Sequence, residues 1–135
     1  MKKVPKREIK SPLLYEPPGG GAFSSAIEAP PGRTVYISGL TARNTSGEVV
    51  GEGDITAQTE QVMQNLKAAL DAAGATFADI VKVTVFIRNM EDFPKIHAVR
   101  RKYFTKPYPA SSMVEVSRLV DRRQLIEIEA IAVVS

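Results

Sequence analysis

Two glutamates, Glu127 and Glu129, stand among branched aliphatic residues in the run 126–133 near the C-terminus. If this run is a β-strand, its side chains alternate between two faces, and both glutamates share one face with Leu125, Ile131 and Val133. A half-solvated strand would alternate apolar with polar residues, so we expect this mixed face to be covered, by another subunit if not by this chain. Covered carboxylates are costly unless paired or near water, and they often perform acid–base chemistry. The alternative is a sheet edge with two solvated glutamates.

The chain has no cysteine and a single histidine, His97, which excludes several kinds of catalytic site. Without cysteine there is no disulfide, no thiolate nucleophile and no thiolate metal site. One histidine cannot build a multi-histidine zinc site. His97 is also a poor candidate for the base of a Ser-His-Asp triad, because it lies in a helical stretch rich in basic residues and a triad base must be oriented by a third group.

Composition is that of an ordinary globular protein. Hydrophobic residues make up 44% and charged residues 24% of the 135-residue chain, and this length predicts a single domain over residues 1–135. No apolar run approaches the roughly 20 residues that span a bilayer. The basic start lacks the apolar segment of a signal peptide. We therefore expect a cytoplasmic protein without a membrane partner.

The net charge of +3 is carried partly by two small basic clusters, one at residues 100–102 and one formed by Arg118, Arg122 and Arg123. Neither cluster is interleaved with the exposed aromatic side chains on which single-stranded nucleic acids stack. We interpret both clusters as solvated surface, and we do not expect nucleic acid to be a partner.

The elements that position these residues are predicted in the order β-β-β-α-β-α-β-β, after a loop or lead-in over residues 1–22 that is rich in Lys, Pro and Gly. Asp54 is a good N-cap for a helix at 55–73, which Gly74 ends. A second helix begins at Asp92 with Pro94 in its first turn. Strands are expected at 23–27, 34–39, 48–50, 80–87, 111–117 and 125–134, the second antiparallel to the first. This order predicts an α+β fold with both helices on one face of a single mixed sheet.

That arrangement leaves the other face of the sheet without helices. A stable monomer does not expose many hundred Å² of apolar surface. The strand pattern alone therefore predicts that the protein oligomerises through the open face.

Several segments together resemble one known family. They are the strand 35–39, the helix segments 65–66 and 72–74, the strand 79–86, the pairs 92–93, 103–104 and 109–110, and the strands 114–116 and 126–132. At these spacings, over about residues 22–134, the chain resembles the Rid family, also called the YjgF or L-PSP endoribonuclease family.

The resemblance implies a chorismate-mutase-like fold and a homotrimer whose three sheets form a central barrel, with ligand sites in the clefts between subunits. It implies hydrolysis of small enamines and imines, such as 2-aminoacrylate, to a 2-keto acid and ammonia, with no metal or other cofactor. That chemistry requires a cation for the substrate carboxylate, a group that orients water and moves a proton, and donors that stabilise the tetrahedral intermediate.

Part of the family's site is present in this chain. Glu127 matches the glutamate that positions water, and we predict that it is the catalytic acid/base residue. Ser38 and Gly39 match the pair that contacts substrate after the second strand. We expect Glu129 to be structural, paired with a cation.

Other positions depart from the family. The carboxylate-binding arginine is replaced by Ser111, a neighbour that is often cysteine by Met113, and the tyrosine of the first strand by Phe23. Glu91 stands where the family has asparagine. Without the arginine, a substrate carboxylate loses about 1.5–3 kcal/mol of charge-assisted hydrogen bonding. On this basis we expect Ser111→Arg to raise activity on short imino acids.

Arg43 is a candidate for the missing cation, because a similar Ser-Gly…Arg arrangement occurs in the family's 2-aminomuconate deaminase-like branch. The alternative is a loop arginine in solvent. We predict a substrate larger than 2-aminoacrylate, such as an aminomuconate-like compound. The predicted substrate-binding residues are Ser38, Gly39, Arg43, Phe23, Ser111, Ser112 and Met113.

Three functions from different classes stay open. The first is a hydrolytic imine or enamine deaminase. The second is a non-catalytic small-molecule-binding or regulatory trimer, which the missing arginine favours and the retained Glu127 disfavours. The third is RNA cleavage, as the family's older name suggests, and it is the least favoured because the chain has neither a histidine pair nor a metal cluster.

Overall fold

Two helices pack on one face of a four-stranded sheet, and a small two-stranded sheet lies beside it. The structure is a computed structural model that describes residues 4–135. Within this range no helix is long and apolar enough to cross a membrane. The elements in chain order are β1 (Arg7–Ile9), β2 (Ala26–Glu28), β3 (Arg33–Leu40), α1 (Ile55–Ala72), β4 (Ile80–Ile87), α2 (Phe93–Arg100), β5 (Ala110–Glu115) and β6 (Ile126–Val134).

The strand order of the main sheet is β3-β6-β4-β5. β6 runs antiparallel to both of its neighbours, whereas β5 runs parallel to β4. The prediction of an α+β fold with a mixed sheet is confirmed. Since β3 and β5 are the two outer strands, residues on them lie at opposite edges of the sheet.

The core lies between the sheet and α1. Every second residue of β6 and β4 faces this layer, because strand side chains alternate in direction. The buried residues of the layer include Val62, Met63, Leu66 and Leu70 from α1, Val83, Val85 and Ile87 from β4, and Ile126, Ile128, Ala130 and Ala132 from β6. The intervening residues of both strands, Glu127 among them, point to the face without helices.

Both helices begin as the sequence predicts. The Asp54 side chain accepts a hydrogen bond of 3.1 Å from the amide of Ala57, which satisfies one of the free donors of the first turn. Gly74 follows α1 with φ of +72°, a conformation that favours glycine. Asp92 precedes α2, and Pro94 lies in its first turn.

The N-terminal part of the chain differs from the prediction. Residues 1–22 are not all loop, because β1 forms here and pairs antiparallel with β2. The Lys6 side chain is buried and donates a hydrogen bond to the carbonyl of Ile80, and burial lowers the pKa of its ammonium to about 8. These contacts fasten the segment to the start of β4. Residues 1–3 lie outside the described range.

Strand pairing at the first hairpin was also predicted wrongly. β3 does not pair with β2; it pairs with the longer β6, which offers it a full ladder. Around the predicted third strand, only an isolated bridge between Arg43 and Val49 forms. Short strands carry too few residues for their periodicity to reveal a partner.

Two buried glutamines join the loops next to β3 and β6. The Gln124 amide exchanges hydrogen bonds with the backbone of Ala42, at 2.9 Å to its N–H and 3.3 Å to its carbonyl. The Gln58 amide on α1 donates to the carbonyl of Arg123 and accepts from the amide of Leu125. The start of β6 and the exit of β3 are thereby fixed to the first turns of α1.

The open face of the sheet presents large apolar side chains. Tyr36 is 78% exposed and Val114 is 42% exposed, with the half-buried Phe86 and Ile131 between them. Such a surface favours association with other copies. The trimer itself stays a prediction.

We expect sedimentation equilibrium of the wild type to give three times the chain mass of 14.7 kDa. Tyr36→Asp should weaken association by about tenfold or more, because it places an unpaired charge in the interface. Ala68→Asp adds the same charge on the exposed side of α1 and is the matched control. A monomeric wild type at micromolar concentration, or equal effects of both variants, would contradict the prediction.

Candidate active site

A pocket of about 390 Å³ lies between α2, the edge strand β5 and the glycine-rich segment before β2. It contains three of the predicted substrate-binding residues, Phe23, Ser111 and Met113. Ser111 and Met113 reach it because they lie opposite Val83 and Val85 of β4, whose side chains face the helices. The remaining lining residues are Pro17, Gly21, Ala22, Phe93, His97 and Arg100.

The predicted catalytic residue, Glu127, lies on the other face of the sheet. It pairs with Phe86 of β4 and is half-buried. Its carboxylate makes no hydrogen bond or ion pair with any residue from 4 to 135. Both oxygens are therefore free to accept hydrogen bonds from water or substrate.

Gly39 packs directly against this carboxylate. The pairing of β3 with β6 shifts register between Ile37 and Leu40, and this irregularity brings Gly39 to the glutamate. A β-carbon at Gly39 would overlap Oε2 of Glu127 and would lie 2.8 Å from its Cδ. Ser38 is exposed beside it. The structure thus brings Ser38, Gly39 and Glu127 together.

Two further polar residues on the open face, Ser112 and Glu129, have different surroundings. Ser112 accepts a hydrogen bond of 3.1 Å from the ammonium of Lys82 and does not line the pocket. Glu129 is exposed, and within the described residues no cation pairs with it. The expectation of a structural ion pair at Glu129 is therefore wrong for the single chain.

Arg43 is held away from the pocket. Its guanidinium donates to the carbonyl of Gly47 at 2.7 Å and lies 3.4 Å from the carboxylate of Asp121. Hydrogen bonds from Arg123 hold the pKa of Asp121 well below its usual range, with a smaller contribution from the charge of Arg43. Asp121 is thus ionised at neutral pH, and its carboxylate pairs with the Arg43 guanidinium. Because Arg43 follows β3 and the pocket borders β5, the two lie at opposite edges of the sheet.

The charged residue of the pocket was not predicted as a site residue from the sequence. Arg100 was interpreted as solvated surface, yet it is only 6% exposed. Its Nη2 donates to Ser111 Oγ at 3.3 Å, and its guanidinium carbon lies 5.8 Å from the centre of the Phe104 ring. The signal was the spacing, since Arg100 lies four residues after the buried Ile96 on the same side of α2.

The charge of Arg100 has no compensating partner among residues 4–135. Its Nε is buried without a hydrogen-bond acceptor, and no carboxylate lies within ion-pair distance. Burial lowers the pKa of the guanidinium to about 10, so the group is still protonated at neutral pH. The pocket therefore contains a fixed positive charge.

The side chain of His97 also lines the pocket and stacks on Phe93. Its ring lies parallel to that of Phe93, with 5.5 Å between centroids. Burial, and then the charges of Arg101 and Arg100, lower the pKa of His97 below its usual value. His97 is thus neutral at pH 7 and contributes an apolar surface with one free polar edge.

The two groups of candidate residues cannot meet within one chain. The pocket faces the helices at β5, whereas Glu127 faces the opposite side on β6, two strands or roughly 10 Å along the sheet. Among the described residues, no cluster of three or more His, Asp or Glu side chains is arranged to hold a metal ion. The arrangement offers a cationic pocket and a separate unpaired carboxylate.

Comparison with known proteins shows what the chain is similar to. The model of the family described as endoribonuclease L-PSP matches residues 15–134. The 2-iminobutanoate/2-iminopropanoate deaminase of Dermatophagoides farinae is 40% identical over 130 residues, which cover 96% of this chain and 98% of that protein.

Two solved structures have the same fold. The Rid-family protein YyfB of Yersinia pestis superposes with a TM-score of 0.88 at 38% identity, over 97% of this chain and 100% of that one. Escherichia coli TdcF, solved with bound serine, superposes with a TM-score of 0.70 at 38% identity, over 77% of this chain and 83% of that one.

The contact between Gly39 and Glu127 can be tested by substitution. In Gly39→Ala the new methyl group overlaps the carboxylate, so we expect a crystal structure to show the Glu127 side chain displaced by about 1 Å or more, with the strand pairing retained. Ser38→Ala, one residue earlier, is the control and should leave Glu127 in place. An undisplaced Glu127 in Gly39→Ala would show that the glycine does not position it.

Proposed function

The chain belongs to the endoribonuclease L-PSP family, which is the YjgF or Rid family, and we propose that it hydrolyses imines or enamines to a carbonyl compound and ammonia. The observation that carries the proposal is the unpaired carboxylate of Glu127, which packs against Gly39 on the open face. The name of the Dermatophagoides relative, a 2-iminobutanoate/2-iminopropanoate deaminase, supports the same reaction class.

The proposed reaction needs one proton acceptor. An enamine first tautomerises to the imine. Water then adds to the imine carbon while the Glu127 carboxylate takes one of its protons, which gives a tetrahedral carbinolamine. The protonated glutamate returns that proton to the nitrogen. The Glu127 carboxylate then takes the hydroxyl proton and passes it to the same nitrogen as the C–N bond breaks, so the products are a carbonyl compound and ammonia. Water and imine together supply every atom of the products.

The complete site requires two copies of the chain. Glu127 with Ser38 and Gly39 lies on the open face, whereas the cationic pocket lies at the opposite edge and on the other side of the sheet. We infer a trimer in which the β5 edge of one copy approaches the open face of the next. Its support is the exposed apolar surface of that face and the trimeric assembly typical of the family.

The pocket has room for a substrate larger than 2-aminoacrylate. Its volume of about 390 Å³ falls within the range of ordinary ligand sites, and Ser111 is smaller than an arginine at the same position. The bound serine of TdcF is a small carboxylate ligand of a relative. A role for Arg43 in binding such a substrate stays a prediction, and it would require Arg43 to leave Asp121.

The second candidate function is a non-catalytic small-molecule-binding trimer. What supports it is that Ser111, Met113 and Phe23 line the pocket, at positions where the resemblance implies arginine, cysteine and tyrosine. A binder would keep ligand affinity without turnover, so ammonia release separates the two functions.

We expect ammonia release from a panel of freshly generated imines that runs from 2-iminopropanoate to longer, aminomuconate-like compounds. Glu127→Gln keeps the shape of the side chain but removes the base, and it should reduce kcat by about 10²-fold or more with little change in KM. Glu129→Gln is the matched control on the same face and should change kcat by less than about threefold. No turnover of any substrate, or an unchanged kcat in Glu127→Gln, would refute the proposal.

A further inference from the structure

Arg100 is a buried cation whose charge nothing in residues 4–135 neutralises. It is 6% exposed, its Nε has no acceptor, and its one side-chain hydrogen bond is to the neutral hydroxyl of Ser111. A buried charge without a partner is strongly destabilising. A protein tolerates it where a ligand completes the site.

The guanidinium lies where a ligand can reach it. Arg100 lines the same pocket as Phe23, Met113 and the stacked Phe93 and His97. The lining is mostly apolar apart from Arg100, Ser111 and the edge of His97. A small organic anion fits this combination, because its carboxylate can meet the guanidinium while its carbon atoms contact the aromatic and thioether groups.

Ser111 contacts the guanidinium directly. Arg100 extends from the last turn of α2, and Ser111 lies on the neighbouring strand β5 at hydrogen-bond distance. The guanidinium thus occupies the space next to the β-carbon of residue 111. A long side chain at position 111 would compete for that space.

We propose that Arg100 binds the carboxylate of the substrate, so that the cation comes from helix α2 rather than from position 111 of β5. This inference rests on the proposed function for the identity of the ligand, a 2-imino or 2-oxo carboxylate. The chain has therefore not lost the carboxylate-binding cation, and Arg43 is not needed for it.

The position of Arg100 reverses one expectation from the sequence. A second guanidinium from Ser111→Arg would enter a pocket that already holds one, and the two like charges would repel each other. We now expect Ser111→Arg to weaken binding of a short carboxylate by about tenfold or more. Ser111→Ala removes only the hydroxyl and should have an effect of about threefold or less.

Direct binding of a stable probe tests the proposal without turnover. The probe is 2-oxobutanoate, with uncharged 2-butanone as its counterpart, measured by titration calorimetry on the assembled wild-type protein. Arg100→Met keeps the length and apolar stem of the side chain, and we expect it to weaken 2-oxobutanoate binding by about tenfold or more. Arg100→Lys should restore part of the affinity. Binding of 2-butanone should be the same in all variants.

Arg123→Met is the matched control, because it removes an exposed arginine of the loop before β6 that is already paired with Asp121. It should leave 2-oxobutanoate affinity unchanged. Thermal unfolding verifies that the variants fold. Without ligand, Arg100→Met should melt at or above the wild-type temperature, since it removes an unpaired buried charge.

The outcomes separate this inference from the proposed function. Unchanged 2-oxobutanoate affinity in folded Arg100→Met, or an equal loss in Arg123→Met, overturns the assignment of Arg100 even if Glu127→Gln abolishes ammonia release. Arg100-dependent binding in a protein that releases no ammonia supports the assignment and refutes the deaminase. Binding that increases in Ser111→Arg also overturns it.

Discussion

Each residue of a β-strand presents its side chain to one face of the sheet, and this constraint decides how the candidate site can be built. On β6, Ile126 and Ile128 enter the core, so Glu127 between them must face away from the helices. On β5, Ser111 and Met113 face the helices because their neighbours on β4 do. No side-chain rotation brings these two sets together. The sheet therefore separates the carboxylate from the cationic pocket, and only association of chains can join them.

The position of Glu127 depends on contacts that are themselves far from any chemistry. Gln58 and Gln124 are fully buried and satisfy backbone groups on both sides of the loop before β6. Buried amides of this kind fix a loop firmly, because breaking one hydrogen bond leaves a polar group unpaired away from water. The same contacts fix the exit of β3 after Gly39. The hydrogen bonds of Gln58 and Gln124 thus position both Glu127 and Gly39 relative to the N-terminal end of α1.

Elements with a long and regular hydrophobic period were predictable from the sequence. Helix α1, β4 and β6 each repeat their pattern over eight or more residues, and the structure confirms them. β1 was not predictable, since three residues carry no period and its partner lies about twenty residues away. The order of strands in the sheet was equally hidden, because β4 is apolar on both sides and its pattern does not show which neighbours it has.

The residues of the site were harder to predict than the fold. Glu127 could be singled out because a carboxylate among aliphatic residues is unusual on a strand. Arg100 was missed because a run of three basic residues suggests solvent, although its position four residues after the buried Ile96 places it on the buried side of α2. Comparing the positions of strand β5 with the family also could not reveal Arg100, since its guanidinium reaches the pocket from helix α2. A positive charge in a pocket can be supplied by residues at different positions in the sequence.

Because the proposed site is divided between the two sides of the sheet, and so between two copies of the chain, its turnover depends on how many copies are associated. In the proposed assembly each working site takes Glu127 from one copy and Arg100 from another, so the fraction of complete sites depends on protein concentration while the fold of each copy does not. Dilution would lower the specific activity of chains that are still fully folded. A ligand that contacts both copies would in turn favour their association. The two effects are reciprocal, so association favours ligand binding by the same factor. The abundance of the protein and of its ligand would together set how much of it is active.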